Sequence, residues 1–249
     1  MNRRSNMKRL LLTTSVCAIA AGLAPEAQAA CTAITAAPNS NNPTTTNLVC
    51  VTLPANVGTG FTNSVGVTIG LATKTAVQIT ANTLSGSFVN HGVISGVAAA
   101  GTAAGMNISA AGVLSAGIVN TGSIFGTGTA AGANGIGIKI SAATFGGGIS
   151  NSGQVEGASV VTTGVGVGTG IALSGPTFSG GVSNSGDITG AGHSGGRGFN
   201  ITVSNFSGGV QNSGFVEAFA SSKAATGINV NGASFSGGII NSSNALILA

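Results

Sequence analysis

From Leu84 onward, apolar and polar positions recur at fixed offsets from an asparagine followed by Ser or Thr and then Gly. The anchors are Asn120, Asn151, Asn184 and Asn212, with variants at Asn90 (Asn-His-Gly) and Asn241 (Asn-Ser-Ser). They stand 30, 31, 33, 28 and 29 residues apart, and a period of roughly 20 to 50 residues marks a solenoid or repeat array. Six residues before each anchor stand Leu84, Leu114, Phe145, Phe178, Phe206 and Phe235. Two before stand Phe88, Ile118, Ile149, Val182, Val210 and Ile239, and four after stand Ile94, Ile124, Val155, Ile188, Val216 and Ala245. Four before, the residue is small: Gly86, Ala116, Gly147, Gly180, Gly208 and Gly237. Further upstream, pairs such as Ile138/Ile140, Ile171/Leu173 and Phe199/Ile201 alternate with other residues. The second unit offers Met106/Ile108 there, one residue out of step.

Alternation with period two is the mark of a strand with one face buried. Each unit holds about three such segments, and no stretch after the leader sustains a 3.6-residue period. The segments are too short for an array of hairpins, which joins long strands by tight turns. Coiling the chain once per repeat instead stacks each strand on its copy about 4.8 Å away, so that backbone groups pair between coils. The expected fold is therefore all-β: a right-handed parallel β-helix (solenoid) of about six coils of about 30 residues each, over residues 76–249. The anchor asparagine suits a corner, because it tolerates left-handed backbone and its amide can bond the copies above and below. The glycine two residues later reads as a second permissive turn position. Loops of variable length, as at 157–168, fall between the third segment and the next unit.

The first residues differ in kind. Arg3, Arg4, Lys8 and Arg9 precede an apolar run from Leu10 to Ala24, and Ala27-Gln28-Ala29 supplies small residues before a cut at Ala30. That order is a secretory signal peptide at 1–29. The apolar run is short for a membrane span, which needs roughly 20 residues. A lipoprotein cut before Cys31 lacks the bulky apolar residue such a site favours. Residues 30–75 read as an N-terminal cap or irregular β segment.

Removing the leader changes the charge. The whole chain is +4, but afterwards Lys74, Lys139, Arg197 and Lys223 face Glu156, Asp187 and Glu217, four cations against three carboxylates. Nucleic acid and anionic lipid need clustered cations, and these are scattered singly; no nucleic-acid partner is predicted. Cys31 and Cys50 remain in the exported part, and two cysteines in an exported chain are expected to pair. Such a bridge contributes on the order of 3 kcal/mol. The competing reading, a metal site, has no His or carboxylate nearby to complete it.

The units Phe178-Ser-Gly-Gly-Val-Ser-Asn-Ser-Gly186, Phe206-Ser-Gly-Gly-Val-Gln-Asn-Ser-Gly214 and Phe145-Gly-Gly-Gly-Ile-Ser-Asn-Ser-Gly153 resemble the repeats of autotransporter passenger domains. The resemblance covers about residues 76 to 249 and the leader. It implies an exported, adhesin-like passenger displayed at the outer membrane of a Gram-negative bacterium, or released from it, with a surface or host ligand left unidentified. One departure is the membrane barrel, with its aromatic girdles, because this chain contains no Trp or Tyr and stops at Ala249. The resemblance therefore implies a fragment whose barrel is encoded downstream. The alternatives are a separate anchoring and capping chain, or the remnant of a truncated gene.

Catalytic signals are sparse. Gly192-His193-Ser194-Gly195-Gly196 matches the G-x-S-x-G elbow, but that motif needs a following helix and a later His, and Phe199 to Val203 reads as a strand. A β-helical polysaccharide lyase or hydrolase is the main enzymatic alternative, since glycoside chemistry needs paired acids. Glu156 and Glu217 lie five residues after their anchors, two coils apart and so about 9 to 10 Å from each other. That offset is read as facing solvent. No Lys directly follows a Gly, which removes a P-loop. His91 and His193 are far apart, without cysteine partners for zinc. No enzymatic activity, cofactor or metal is predicted.

Overall fold

The computed structural model describes residues 32–33, 40–42, 50–53, 60–70, 74–80 and 83–249; the leader and Cys31 lie outside them. Among the described residues every strand pairs in parallel, and there is no helix. A representative coil runs through Asn134–Phe145, Ile149–Asn151 and Gln154–Ser159. Each of these strands bonds to its copy one coil further on, with Ile140 opposite Leu173, Asn151 opposite Asn184 and Val155 opposite Ile188. The result is a β-solenoid of three sheets. Sheet 1 carries the long strands, sheet 2 the three-residue strands that end on asparagine, and sheet 3 the segments after the turn.

Stacking follows from the repeat. The columns six before, two before and four after the anchor point inward, and members such as Leu114, Phe178, Phe206, Val210 and Val216 are fully buried. They join the pairs Ile138/Ile140, Ile171/Leu173 and Phe199/Ile201 in one continuous core. Phe145, Phe178, Phe206 and Phe235 stack face on face, with centroids 5.0, 5.0 and 4.9 Å apart. That distance is set by the coil spacing, about 4.8 Å.

Glycine does two separate jobs here. Left-handed backbone sits three residues before the anchor, at Gly148 (φ 74°), Gly181 (72°) and Gly209 (71°). The glycine two residues after the anchor is needed for a different reason from the turn flexibility the sequence suggested. A Cβ on Gly153 would lie 2.0 Å from the Gly122 carbonyl oxygen, and one on Gly186 would lie 2.1 Å from that of Gly153. Adjacent backbones meet there too closely for any side chain.

Register explains two irregular units. The Met106/Ile108 offset arises because Thr102–Leu114 has 13 residues against 12 in Asn134–Phe145, and the register shifts between Ala142 and Thr144. In the last unit the expected Ala245 does not continue the column four after the anchor; Ile247 does, opposite Val216. Without the Asn-x-Gly turn, Ser242 to Ala245 form a longer one, closed by Ala245 N–H donating to the Ser242 carbonyl. The same sheets also extend into residues 30–75. Phe61–Asn63 pairs with Phe88–Asn90, Val51–Leu53 with Val77–Ile79, and Thr32–Ala33 with Val51–Thr52.

Candidate functional site

The anchor asparagines form a hydrogen-bonded ladder through the solenoid. Asn90 Nδ2 donates to Asn120 Oδ1 at 2.7 Å, Asn120 to Asn151 at 2.7 Å, Asn151 to Asn184 at 2.8 Å, Asn184 to Asn212 at 2.7 Å and Asn212 to Asn241 at 2.7 Å. Each interior amide also donates to the glycine carbonyl two residues on and to a backbone carbonyl of the next coil. For Asn184 these are Gly186 at 3.1 Å and Phe215 at 3.1 Å. Two N–H groups thus serve three acceptors. The ladder from Asn90 to Asn212 is buried and spends its donors internally. It is a structural spine and offers no donor to a ligand.

The ladder starts earlier than the sequence repeat suggested. Asn63 Nδ2 donates to Asn90 Oδ1 at 2.8 Å, and Phe61 stacks on Phe88 with centroids 5.0 Å apart. The available signal was Phe61-Thr62-Asn63-Ser64, an aromatic two before an asparagine. It is obscured because Val65 precedes Gly66 and places Ile69, opposite Ile94, six residues after the anchor.

Glu156 corrects the reading of its offset as solvent-facing. It is 4% exposed, and it shares a column with buried Ser95 and Thr189. Every residue from Val155 to Ser159 is buried, so this strand is covered on both faces and simple alternation fails. Glu156 Oε2 has no hydrogen-bond partner, and desolvation by burial pushes the carboxyl up to about 7. Its column neighbours are Phe125 and Thr189, with Glu217 beyond Thr189, partly exposed. Of the acid pair considered for glycoside chemistry, Glu156 is thus buried and Glu217 partly exposed.

The burial of Glu156 has a sign in pH. Below about pH 4.5 the group is protonated both folded and unfolded. As pH rises, the unfolded chain ionises first while the folded one holds its proton, so stability falls until about pH 7 and then levels off. The chain is expected to melt at a lower temperature at pH 8 than at pH 5. Glu156→Gln is expected to remove most of that difference, stabilising the fold at pH 8 by up to about 3 kcal/mol. An unchanged pH profile in the variant, read by thermal unfolding, would place the titration elsewhere.

The remaining polar motifs serve the coils. Ser194 Oγ donates to the Gly166 carbonyl at 3.2 Å and accepts from Gly166 N–H at 3.0 Å, while His193 Nδ1 meets Ser221 Oγ at 2.8 Å. The residues after Ser194 form the strand Gly195–Phe206, as expected, and the elbow motif is an inter-coil turn. His91 Nδ1 meets Thr121 Oγ1 at 2.6 Å. Among the described residues no three His, Cys, Asp or Glu side chains gather as metal ligands. Cys50 is buried and disulfide-bonded; Cys31, its expected partner, lies outside the described residues.

The outer face of sheet 1 remains. Its outward columns pair Asn107 with Ser109, Lys139 with Ser141, and Asn200 with Thr202, coil upon coil. Ser109, Ser141 and Thr202 are exposed, and the residues two before them are half-buried. Among the described residues no helix is long and apolar enough to cross a membrane. Comparison with protein-family models, with curated proteins and with solved structures finds no match to this chain.

Proposed function

We propose that the chain is an exported surface scaffold, an adhesin-like passenger of the autotransporter type without catalytic activity, carried to the outer face of a Gram-negative cell. The observation that carries this reading is the division of labour in the coil. Backbone groups, the asparagine amides and the apolar columns are consumed in stacking, which leaves outward columns such as Ser109, Ser141 and Thr202 on sheet 1 and Ser150, Ser183 and Gln211 on sheet 2 as the exposed polar surface. Such a quasi-one-dimensional body suits display, because contacts run mainly between neighbouring coils and binding groups can be spread along a side. The disulfide at Cys50 is consistent with an oxidising compartment, and the leader supplies the route.

The test is expression of the full chain in a Gram-negative host, beside a form lacking residues 1–29, followed by fractionation and protease digestion of intact cells. The full chain is expected outside the cytoplasm, shortened at its N-terminus by the leader. Retention of both forms in the cytoplasm would overturn the proposal. In the same reading, Glu217→Ala leaves binding intact, and a panel of polysaccharides incubated with the purified chain shows no turnover.

A further inference from the structure

We propose that the Asn231-Gly232 step is a modification site, where the asparagine converts spontaneously to aspartate and isoaspartate through a cyclic imide. The chemistry needs only this chain and water. The backbone nitrogen of the following residue attacks the side-chain Cγ, forming a new N–C bond and giving up its proton. The bond from Cγ to Nδ2 breaks, and ammonia leaves with that proton. Water then opens the imide at either carbonyl. One opening leaves aspartate; the other cuts the original peptide link and leaves isoaspartate, with an extra carbon in the backbone. Alkaline solution speeds the attack, because the nitrogen reacts once deprotonated.

Two features of a fold stop this reaction: a hydrogen-bonded attacking nitrogen, and a side chain that is fixed or buried. The ladder asparagines have both. Ser152, Ser185 and Ser213 N–H donate to the carbonyls of Asn120, Asn151 and Asn184 at 2.8, 2.8 and 2.7 Å. The side chains of Asn151, Asn184 and Asn212 before them are buried and bonded into the spine. His91, Thr121 and Ser242 N–H are likewise held, by the carbonyls of Asn63, Asn90 and Asn212. Asn134 and Asn231 are the asparagines that precede glycine, the residue that gives ring closure the most room and freedom. Asn134 begins the strand Asn134–Phe145, half-buried, and its Oδ1 accepts from Val167 N–H at 2.8 Å. Asn231 and Gly232 are both exposed and fall between Ala225–Val230 and Ser234–Phe235, outside either strand. Asn231 N–H donates to the Ile201 carbonyl at 2.8 Å, but among the described residues Gly232 N–H donates to no carbonyl.

The product also has a place to act. A Cβ on Gly232 would lie 2.1 Å from the Val203 carbonyl oxygen, so an extra backbone carbon at this tight corner displaces it from Val203. Ser234 and Phe235 follow directly, paired with Asn205 and Phe206. Isoaspartate therefore loosens this coil first, while contacts between neighbouring coils keep the others stacked.

The purified full chain is aged at neutral and mildly alkaline pH, both folded and in urea. Each asparagine is followed by peptide mapping with mass spectrometry and by enzymatic methylation of isoaspartate. In the folded chain Asn231 is expected to convert at least tenfold faster than Asn134 or any ladder asparagine, and faster still at the higher pH. In urea the two Asn-Gly steps are expected to convert at similar rates. Asn231→Gln keeps an amide at this exposed position but closes a ring far more slowly. It is expected to fold like the parent and, after ageing, to resist protease near Phe235 longer than the aged parent does. Equal rates at Asn231 and Asn134 in the folded chain, or an unmodified Asn231 there after Asn134 has converted in urea, would overturn the site. Equal protease sensitivity of the two aged chains would overturn the loosening.

Discussion

Replacing Asn184 by aspartate is expected to destabilise the solenoid by about 4 kcal/mol, the cost of leaving a buried charge without a counterion. The oxygen of the new side chain still accepts from Asn151 Nδ2. It has no N–H to give to Asn212 Oδ1, to the Gly186 carbonyl or to the Phe215 carbonyl, all of which Asn184 now serves. Three acceptors would face a carboxylate at a position 1% exposed. Because contacts run mainly between neighbouring coils, such a break in mid-array is also expected to uncouple the coils on its two sides. Urea unfolding followed by circular dichroism is then expected to broaden or split into two steps. Asn241→Asp is the matching control. That amide is exposed and donates only to the Ala245 carbonyl, at 3.1 Å, while its oxygen accepts from Asn212. A change within about 0.5 kcal/mol is expected there. Equal midpoints for the Asn184 and Asn241 variants would show that the ladder does not hold the coils.

The solenoid was legible in the sequence because a stacked coil demands the same residue class at the same offset every time. Phe145, Phe178 and Phe206 sit one above another, and nothing but the repeat is needed to find them. The asparagines were legible for the same reason, with the amide hydrogen bonds explaining why no other residue replaces them in seven coils from Asn63 to Asn241. What escaped depended on distances between elements. The burial of Glu156 follows from cover on both faces of its strand, which alternation along the chain cannot report. The glycines after the anchors are required by a carbonyl belonging to the previous coil, about 30 residues away. Insertions near Gly66 and Asn244 moved Ile69 and Ile247 off the fixed offset while leaving them in the column. The outward columns of sheet 1 were the least legible part. Asn107, Lys139 and Asn200 look like ordinary polar spacers until register places them in one line.

Phe178→Asp is expected to have the largest effect on the fold. Phe178 is 1% exposed and stacked between Phe145 and Phe206, with both centroids 5.0 Å away. Removing the ring alone costs about 3–5 kcal/mol as lost transfer and an unfilled cavity. An unpaired carboxylate in its place adds several kcal/mol. A domain of ordinary stability, about 5–15 kcal/mol, has little left after that sum. The variant is therefore expected to lose its cooperative thermal transition and to become protease-sensitive around the affected coils. Phe178→Leu separates shape from charge, because Leu114 and Leu84 already fill the same column two and three coils earlier. It is expected to fold, with a loss of about 1–2 kcal/mol from the two stacks. Phe235→Asp tests position, since that ring stacks on Phe206 alone and is only partly buried. A smaller loss than at Phe178 is expected there. Thermal unfolding of Phe178→Asp indistinguishable from that of the parent chain would refute the stacked-coil architecture itself, because no other arrangement on this repeat puts that ring between two copies of itself.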